Sequence, residues 1–496
     1  MAARRLKAKR ERHVGRQFRI SREQFASLLN GRTAYDAAAT NKYNENHWKQ
    51  ATSQDADSAL LYSGELATIR ERCRHEIRNN TYAAGIGRKF SHYAIGTGPT
   101  LQVQTENETL NDAIERMWQS WADNCDDTGV LSYAEMLHLG VRELFPAGEY
   151  FRIFQGRRGS SSGSVSLRLL CVEAERVTDP YSKAGNQDIR DGIEFNAFGR
   201  RYRYWIAKHN PGSQYYTQSL SDSEFDVVDA SRVVHFSMTD RPEQVRGCPL
   251  MAQSVEVFAK TRRWDEATLA AAERAALFGI ILVTNSEMLL GDNPSSRGPE
   301  EWELSSGMGV IAPPGYDAKQ VSPDHPGAQY EVFRKAKIQE CGAAVDMPYN
   351  ILASDSSAHS YASGRLDWQG LTRSVKVLRS WIERRDCAPT FRAWWEEAHA
   401  LNLFPGAPED VPIVWRWPGF EHVDPSKEAN AAETRLRMGL LTYADYYAEQ
   451  GKDWRQEFRQ RAKEKAEMKA LDIEPEDLKP APRPVVNPAP GGANEE

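Results

Sequence analysis

Hydrophobic residues recur at helical spacing in two stretches of the N-terminal half, residues 57–95 and 108–145. Residues 148–236 instead show short runs of apolar and β-branched residues separated by Gly, Pro and Asn, which predicts a mainly β segment. The strand candidates are residues 150–153, 166–170, 192–195 and 201–206. Five apolar residues of the second helical stretch are predicted to lie in the core, namely Trp118, Trp121, Met136, Leu137 and Leu144.

The middle of the chain returns to a helical pattern. Residues 251–278 contain no Gly and no Pro and are rich in alanine. This composition predicts a long helix that neighbouring helices can approach closely. A second helix is predicted over residues 329–345, followed by a polar loop at 350–363 and a helix over 365–400. Pro389 should kink the last of these, because proline lacks the amide donor and clashes with the preceding turn.

Helix signals continue near the C-terminus. Asp424 can cap a helix that has Pro425 at its first position, and Gly439 is expected to end that helix. Thr442 should cap the next helix, and residues 453–471 predict a charged final helix.

Charge and composition exclude several classes of protein. The 496 residues include 63 Lys or Arg and 69 Asp or Glu, so the net charge of −6 disfavours a protein that coats nucleic acid with its whole surface. The longest apolar run, residues 277–283, is too short to span a bilayer, and residues 1–22 have no apolar stretch typical of a signal peptide. We therefore expect no membrane partner. The single, scattered cysteines indicate reduced thiols in a protein assembled in a cytoplasm.

The two ends differ in composition from the rest. Residues 1–22 carry nine Lys or Arg and one acid, and the chain from Glu474 onward is rich in proline. Neither composition can bury enough apolar surface to order itself, so both ends are predicted to be disordered tails. A nucleic-acid contact by the basic arm remains an alternative, in which the protein is a DNA-binding adaptor.

Candidate catalytic patterns are weak. Ser161 lies in a G-x-S-x-G match at residues 159–163, but strand candidates on both sides favour a hairpin loop over a nucleophile elbow. Asp355, Ser356, Ser357 and His359 are residue types of a hydrolase triad, although triad members normally come from distant segments. A serine hydrolase that uses Ser161 or the Asp355–His359 loop therefore stays as an alternative from another class.

No other chemistry is indicated. The sequence has no P-loop, no H-E-x-x-H pattern and no convincing Cys/His ligand set. We expect no enzyme activity, no catalytic residue, no metal and no cofactor.

Three segments occur in a characteristic order. The first runs from Asp229 to Phe236 and continues from Arg241 to Pro249, the second runs from Met347 to Arg365 and includes the YASGR stretch, and the third is residues 439–442. Together they resemble the portal proteins of tailed phages, specifically the lambda family. The likeness spans roughly residues 60–450. The positions that carry the motif are Arg241, Pro242, Gln244, Arg246, Gly247 and Pro249 in the first segment and Tyr361, Ser363 and Arg365 in the second.

The resemblance implies an α+β portal fold with an α/β wing, a two-helix stem, a small β-containing clip, a channel loop and a helical crown. The corresponding boundaries begin with a basic, partly disordered N-terminal arm at 1–56 and the wing at 57–250. Stem helix 1 is expected at 251–283, the clip at 284–327, stem helix 2 at 328–349 and the channel loop at 350–363. A long kinked helix and the return to the wing follow at 364–423, then the crown at 424–472 and a disordered proline-rich tail at 473–496.

The family's function follows as an expectation. Portals form a homo-oligomeric ring, usually of twelve subunits, at one capsid vertex of the virion, after assembly in the host cytoplasm. Double-stranded DNA passes through the ring during packaging and ejection. The expected partners are terminase, the major capsid protein or scaffold, and head–tail connector proteins. The residues expected to face the DNA channel are Ser354, Asp355, Ser356, Ser357, His359, Ser360 and Tyr361.

Two roles stay open at this level. Tyr361 either lies near the DNA path with the other loop residues or, together with Arg365, merely anchors the helix that follows the loop. Arg241 and Arg246 are expected to be structural, for example in ion pairs between subunits, with DNA contact as the alternative. The acidic balance fits a channel, because each phosphate held by Lys or Arg must be released as DNA advances.

Overall fold

A computed structural model describes two units, Met1–Asp55 and Ala56–Glu496. The first contains a short turn over residues 44–49. The basic arm, Ser161, Asp424, the tail from residue 473 and most of the predicted clip lie outside the described residues. Those described are 38, 44–49, 51–61, 64–156, 164–216, 220–277, 281–284, 316–319, 329–357, 359–420 and 425–471.

Five helices open the second unit, where the sequence predicted two helical stretches. They are α1 (Ala56–Leu60), α2 (Glu65–Asn79), α3 (Thr81–Ile95), α4 (Glu108–Ala122) and α5 (Tyr133–Glu143). The helical conformation is interrupted between α2 and α3. Asn80 is extended there, and its side chain caps α3 by accepting hydrogen bonds from the amides of Tyr82 and Ala83. Ser132 and Glu135 form a capping box that starts α5.

The predicted β segment forms two antiparallel sheets. The strands are β1 (Thr100–Val103), β2 (Glu149–Gly156), β3 (Leu167–Val172), β4 (Ile189–Arg190), β5 (Ile193–Phe195), β6 (Arg201–Ala207), β7 (Phe225–Asp229), β8 (Val233–Ser237) and β11 (Ile413–Arg416). One sheet has the order β3-β2-β8 and the other β4-β5-β6-β7, and a separate pair joins β1 to β11. All four strand candidates are confirmed, since each overlaps one of β2, β3, β5 and β6.

Two long helices flank the insert in the middle of the chain. These are α6 (Val255–Leu277) and α7 (Gln329–Ala343), and they contact each other through the stacked rings of Trp264 and Tyr330, 4.7 Å apart. The described part of the insert is an antiparallel pair, β9 (Ile281–Thr284) with β10 (Tyr316–Lys319). The alanine-rich helix is confirmed, but it begins four residues later than predicted because residues 251–254 form turns after Pro249.

The polar loop predicted at 350–363 is shorter than expected. Helix α8 (Tyr349–Ala353) occupies its start, and α9 (Tyr361–Ile382) begins before its end. Only residues 354–360 connect the two helices. The prediction was wrong at both ends because Ser354 adopts a left-handed conformation that ends α8, while Ser360 caps α9.

Pro389 disturbs its helix as predicted. A π-helical turn, Glu383–Cys387, separates α9 from α10 (Ala388–Ala400). Pro389 has no N–H to donate to the carbonyl four residues earlier, and the wider turn relieves the clash of its ring with that carbonyl.

Three helices follow β11, and the predicted signals delimit them. They are α11 (Pro425–Arg437), α12 (Tyr443–Glu449) and α13 (Trp454–Ala470). Gly439 follows α11 with φ of 69°, and the Thr442 side chain accepts a hydrogen bond from the amide of Asp445 at the start of α12.

The core centres on aromatic residues contributed by distant segments. The Trp118 ring lies 5.4 Å from that of Trp394 and 5.6 Å from that of Trp415. All five residues predicted for the core are buried. None of the helices that the structure describes combines the length and the hydropathy of a membrane-spanning segment.

Candidate functional site

The predicted channel loop, now residues 354–360, is held at its start by Lys89 of α3. The Lys89 ammonium donates to the carbonyl oxygens of Ile351 (2.9 Å) and Leu352 (2.8 Å) and to the Ser354 hydroxyl (2.6 Å). The Lys89 ammonium therefore adds hydrogen bonds to two carbonyls at the C-terminal end of α8, where a cation is favourable. Partial burial, with the nearby Arg88 charge, lowers the pKa of Lys89.

The far end of the loop is held by Ser360. Its hydroxyl accepts a hydrogen bond from the Ser363 amide at 3.2 Å, and the Ser363 hydroxyl donates to the Ser360 carbonyl. Ser363, one of the motif residues, therefore belongs to the first turn of α9. Its contacts are local and build the helix start.

Inside the loop, Asp355 organises a tight turn. Its carboxylate accepts from the Ser357 hydroxyl (2.6 Å) and amide (3.0 Å) and from the Tyr349 hydroxyl (3.3 Å). The hydrogen bonds from Ser357 lower the pKa of Asp355. Ser356 and Ser357 are exposed. The loop thus presents hydroxyls and a carboxylate, and residues 354–360 include no Lys or Arg.

The loop residues are not arranged as a hydrolase triad. His359 Nε2 lies 3.5 Å from Asp367 of α9. Within the described part of the loop, the carboxylate of Asp355 is bonded to Ser357 and Tyr349, and the histidine forms no hydrogen bond to a serine hydroxyl. A nucleophilic serine needs such a bond to a base. Nor do any three His, Cys, Asp or Glu residues of the described chain lie close enough to hold a metal.

Tyr361 and Arg365 contact helix α11. Lys427 lies over the Tyr361 ring, 5.3 Å from its centroid, and Arg365 lies 3.9 Å from Glu428. These contacts favour the interpretation that both side chains anchor α9 against the C-terminal helices. Tyr361 is nevertheless half-exposed at the loop edge.

Arg246 of the first motif is fully buried. Its guanidinium lies 2.6 Å from Glu149 and 2.6 Å from Asp191, and donates to three carbonyl oxygens. Both ion-pair partners belong to the same chain. These contacts favour a structural role for Arg246 within the subunit. Arg241, in contrast, is exposed.

The contacts of the neighbouring motif residues explain why these residue types occur there. Gln244 accepts from the amides of Asp240 (2.9 Å) and Arg241 (3.2 Å) and donates to the Arg246 carbonyl, so it closes the turn. A Cβ at Gly247 would lie 2.1 Å from the carbonyl oxygen of Gly148, so only glycine fits there. The Pro249 carbonyl accepts from the amide of Ala252, in the turn that leads to α6.

Glu149 lies at the centre of this region, and sequence reasoning missed it. Its carboxylate accepts from Arg70 (2.6 Å), Arg246 (2.6 Å), His235 (2.9 Å) and the amide of Gly247 (2.8 Å). Burial alone would raise the pKa of Glu149, but the charges of Arg246 and Arg70 outweigh it and hold the pKa well below its ordinary value. Burial lowers the pKa of His235 to about 4, so that ring is neutral.

A second buried carboxylate, Asp386, sits in the π-helical turn. It accepts from the guanidinium of Arg152 (2.5 and 2.6 Å) and from the hydroxyls of Tyr150 (2.7 Å) and Tyr133 (3.0 Å). It therefore links β2 and α5 to the turn that Pro389 produces. No signal in the sequence marked it, since a lone acid in a helix is normally solvated.

Comparison with known proteins identifies the class to which this arrangement belongs. Residues 41–379, more than half of the chain, match the family described as phage portal protein, lambda family. The chain therefore belongs to the lambda family of phage portal proteins.

Particular relatives agree with this assignment. The chain is 24% identical over 439 residues to a probable portal protein of Halomonas phage phiHAP-1, covering 82% of each protein. It is 21% identical over 473 residues to portal protein B of Escherichia phage lambda, covering 85% of this chain and 87% of that protein.

Two solved structures are similar at lower sequence identity. The neck of an empty gene transfer agent particle, computed with C6 symmetry, has a TM-score of 0.47 at 13% identity, covering 80% of this chain and 98% of that one. An HK97 family phage portal protein from Corynebacterium diphtheriae has a TM-score of 0.33 at 15% identity, covering 74% and 98%.

Proposed function

We propose that this protein forms a ring of twelve subunits at one capsid vertex. Double-stranded DNA enters and leaves the virion through this ring. The observation that carries the proposal is the match to the lambda portal family over residues 41–379. That range contains the two sheets, α6, α7 and the exposed loop at 354–360.

The parts of the ring subunit are assigned on the same basis. Residues 57–250, with their two sheets, would be the wing, and the packed helices α6 and α7 would be the stem. The insert at 284–327 would be the clip, and 364–423 the kinked helix and return to the wing. Helices α11 to α13, within 424–472, would be the crown. Stem helices of one subunit are expected to stay together, and the bond from the Tyr330 hydroxyl to Asp265 (2.8 Å) supports this pairing.

The loop at 354–360 is the part proposed to face DNA. It is anchored at both ends, exposes serines and contains no cation, so its contacts with phosphates would be weak and quickly exchanged. A strong cationic contact would have to break for each phosphate that passes. The loop therefore suits a surface past which DNA slides.

The partners proposed for the assembled ring are terminase, the major capsid protein or scaffold, and head–tail connector proteins. ATP hydrolysis would belong to terminase, because this chain has no P-loop. The clip is the segment proposed to face terminase first and the connector later.

Electron microscopy and mass measurement of the purified protein test the ring directly. We expect closed rings with a central channel in views along the symmetry axis, and a mass that is a whole multiple of 56.0 kDa. Monomers alone under every assembly condition would contradict the proposal.

Replacement of residues 354–360 by a Gly-Ser linker of equal length tests the loop. Rings should still assemble, whereas DNA packaging or retention should fall. As a matched control, the same replacement at residues 210–216, a partly exposed connection between β6 and β7, should change neither property. Unchanged packaging by the first variant would show that the loop does not act on DNA.

A further inference from the structure

A wide groove lies between α9 on one side and α11 and α12 on the other. Its volume is about 1150 Å³, and residues 415–418 with Phe420 also line it. Aromatic side chains line much of it, namely Tyr361, Trp368, Trp415, Trp417, Phe420 and Tyr446. An aromatic-lined groove of this kind is typical of sites that bind extended, proline-rich segments.

The groove is also positively charged. Its lining includes seven Lys or Arg against four Asp or Glu. Arg373 and Lys376 of α9 are exposed there, one turn apart, and neither has an ion-pair partner among the residues that the structure describes. An acidic segment could therefore pair with them without breaking an existing contact.

Two polar atoms of the groove wall lack partners. The indole N–H of Trp415, a residue 8% exposed, and the hydroxyl of Thr372 are buried and form no hydrogen bond within the described chain. Buried donors are normally paired, so an acceptor from outside the described residues would complete this wall.

We propose that the C-terminal segment of the same chain, residues 472–496, binds in this groove. Its six Asp or Glu against one Lys and one Arg give the whole segment a charge opposite to that of the groove lining, and it has six prolines between residues 475 and 490. Proline has a carbonyl acceptor and no N–H, and its ring packs well on aromatic faces.

The length of the segment is sufficient for this return. Helix α13 begins close to Gln450, which lines the groove, and its 17 residues extend about 25 Å from there. Pro480 is nine residues beyond Leu471, and an extended chain of nine residues spans about 28 Å. The proline-rich part can therefore reach the groove of its own subunit.

Peptide binding to a shortened chain tests the proposal. A protein ending at Leu471 keeps every described residue, and a synthetic peptide of residues 472–496 should bind it with one-to-one stoichiometry in isothermal titration calorimetry. The full chain should bind the peptide at least tenfold more weakly, because its own segment already occupies the groove. Absence of binding to the shortened chain, or equal binding to both proteins, would overturn the proposal.

Charge reversal locates the site. Arg373→Glu with Lys376→Glu in the shortened chain should weaken peptide binding at least tenfold, and a peptide with its six prolines replaced by alanine should also bind more weakly. The matched control is Arg72→Glu with Arg392→Glu, two exposed positions outside the groove. Equal loss of affinity in both double variants would reduce the effect to net charge and reject the groove as the site. Ring assembly is measured separately, so failure here leaves the portal proposal unaffected.

Discussion

Glu149 and Asp386 each hold the guanidinium of an arginine in a fully buried site. Glu149 forms ion pairs with Arg70 and Arg246, and Asp386 forms one with Arg152. Moving such ions out of water is costly, and only close geometry with further hydrogen bonds compensates. Here tyrosine hydroxyls, a histidine and backbone groups supply those bonds. The two carboxylates therefore connect segments that are distant in sequence.

Replacement of Arg246 by Met should destabilise the subunit by about 3–5 kcal/mol, because Glu149 would keep only part of its compensation and Asp191 would lose its partner. Chemical denaturation of the dissociated protein measures this loss. Arg392→Met, at an exposed position, should change the free energy of unfolding by less than about 0.5 kcal/mol. A stable Arg246→Met subunit that fails only in ring assembly would instead support a role of Arg246 between subunits.

Stability should also fall as the pH drops from about 6.5 towards 4. The folded-state pKa of His235 is lowered to about 4 by burial, so in this range the unfolded chain binds a proton that the folded chain excludes. The loss amounts to about 3 kcal/mol over the whole window. The imidazole ring of His235 packs against Glu149, Tyr204 and Phe151, and the charges of Arg201 and Arg246 lie nearby.

Melting temperatures at pH 7, 6 and 5 check this for the unmodified protein and for His235→Gln. The variant should be less stable at pH 7, but its melting temperature should depend less on pH, because it lacks the group that titrates. An equally steep decline in both proteins would show that another group, such as Glu149 with its lowered pKa, controls the acid sensitivity.

At the level of elements, local signals predicted several helix ends and missed one helix. Pro425, Gly439 and Thr442 act as expected because a cap or a breaker works within a few residues. Helix α8 was not predicted, since its five residues are too few to be stable alone. Two of its carbonyls accept from Lys89, more than 260 residues earlier in the chain, and no local pattern reveals that contact.

Lys89→Met should loosen the start of the loop and leave the rest of the fold intact. Three hydrogen bonds from one cation would be lost, so the amides of Ser354 and Asp355 should exchange hydrogen about tenfold faster. Hydrogen exchange resolved by mass spectrometry measures this. Lys89→Arg keeps the charge and should recover most of the protection, whereas unchanged exchange in Lys89→Met would mean that α8 and the loop do not depend on this contact.

For the whole molecule, the order of short motifs was enough to predict the portal family, while the roles of individual motif residues were not predictable. Arg246 was noted within its motif, but its partner Glu149 stood in an ordinary strand pattern. The groove beside α9 is formed by segments that meet only after folding. A linear pattern contains neither the distance between such segments nor the charge that they bring together.

A single added cation in the loop tests whether the ring conducts DNA by weak contacts. Ser356 is exposed, and its side chain has no hydrogen bond within the described loop, so Ser356→Lys should leave the fold unchanged. In a ring, however, every subunit would add one lysine at the channel, and each phosphate that it held would have to be released before DNA advanced. We expect slower packaging that recovers as salt is raised, because salt weakens such contacts. Gln214→Lys, an exposed position between β6 and β7, adds the same charge away from the loop and should package at the normal rate. Faster packaging with the loop lysine, or an equal effect of both variants, would contradict a channel in which residues 354–360 face the passing DNA.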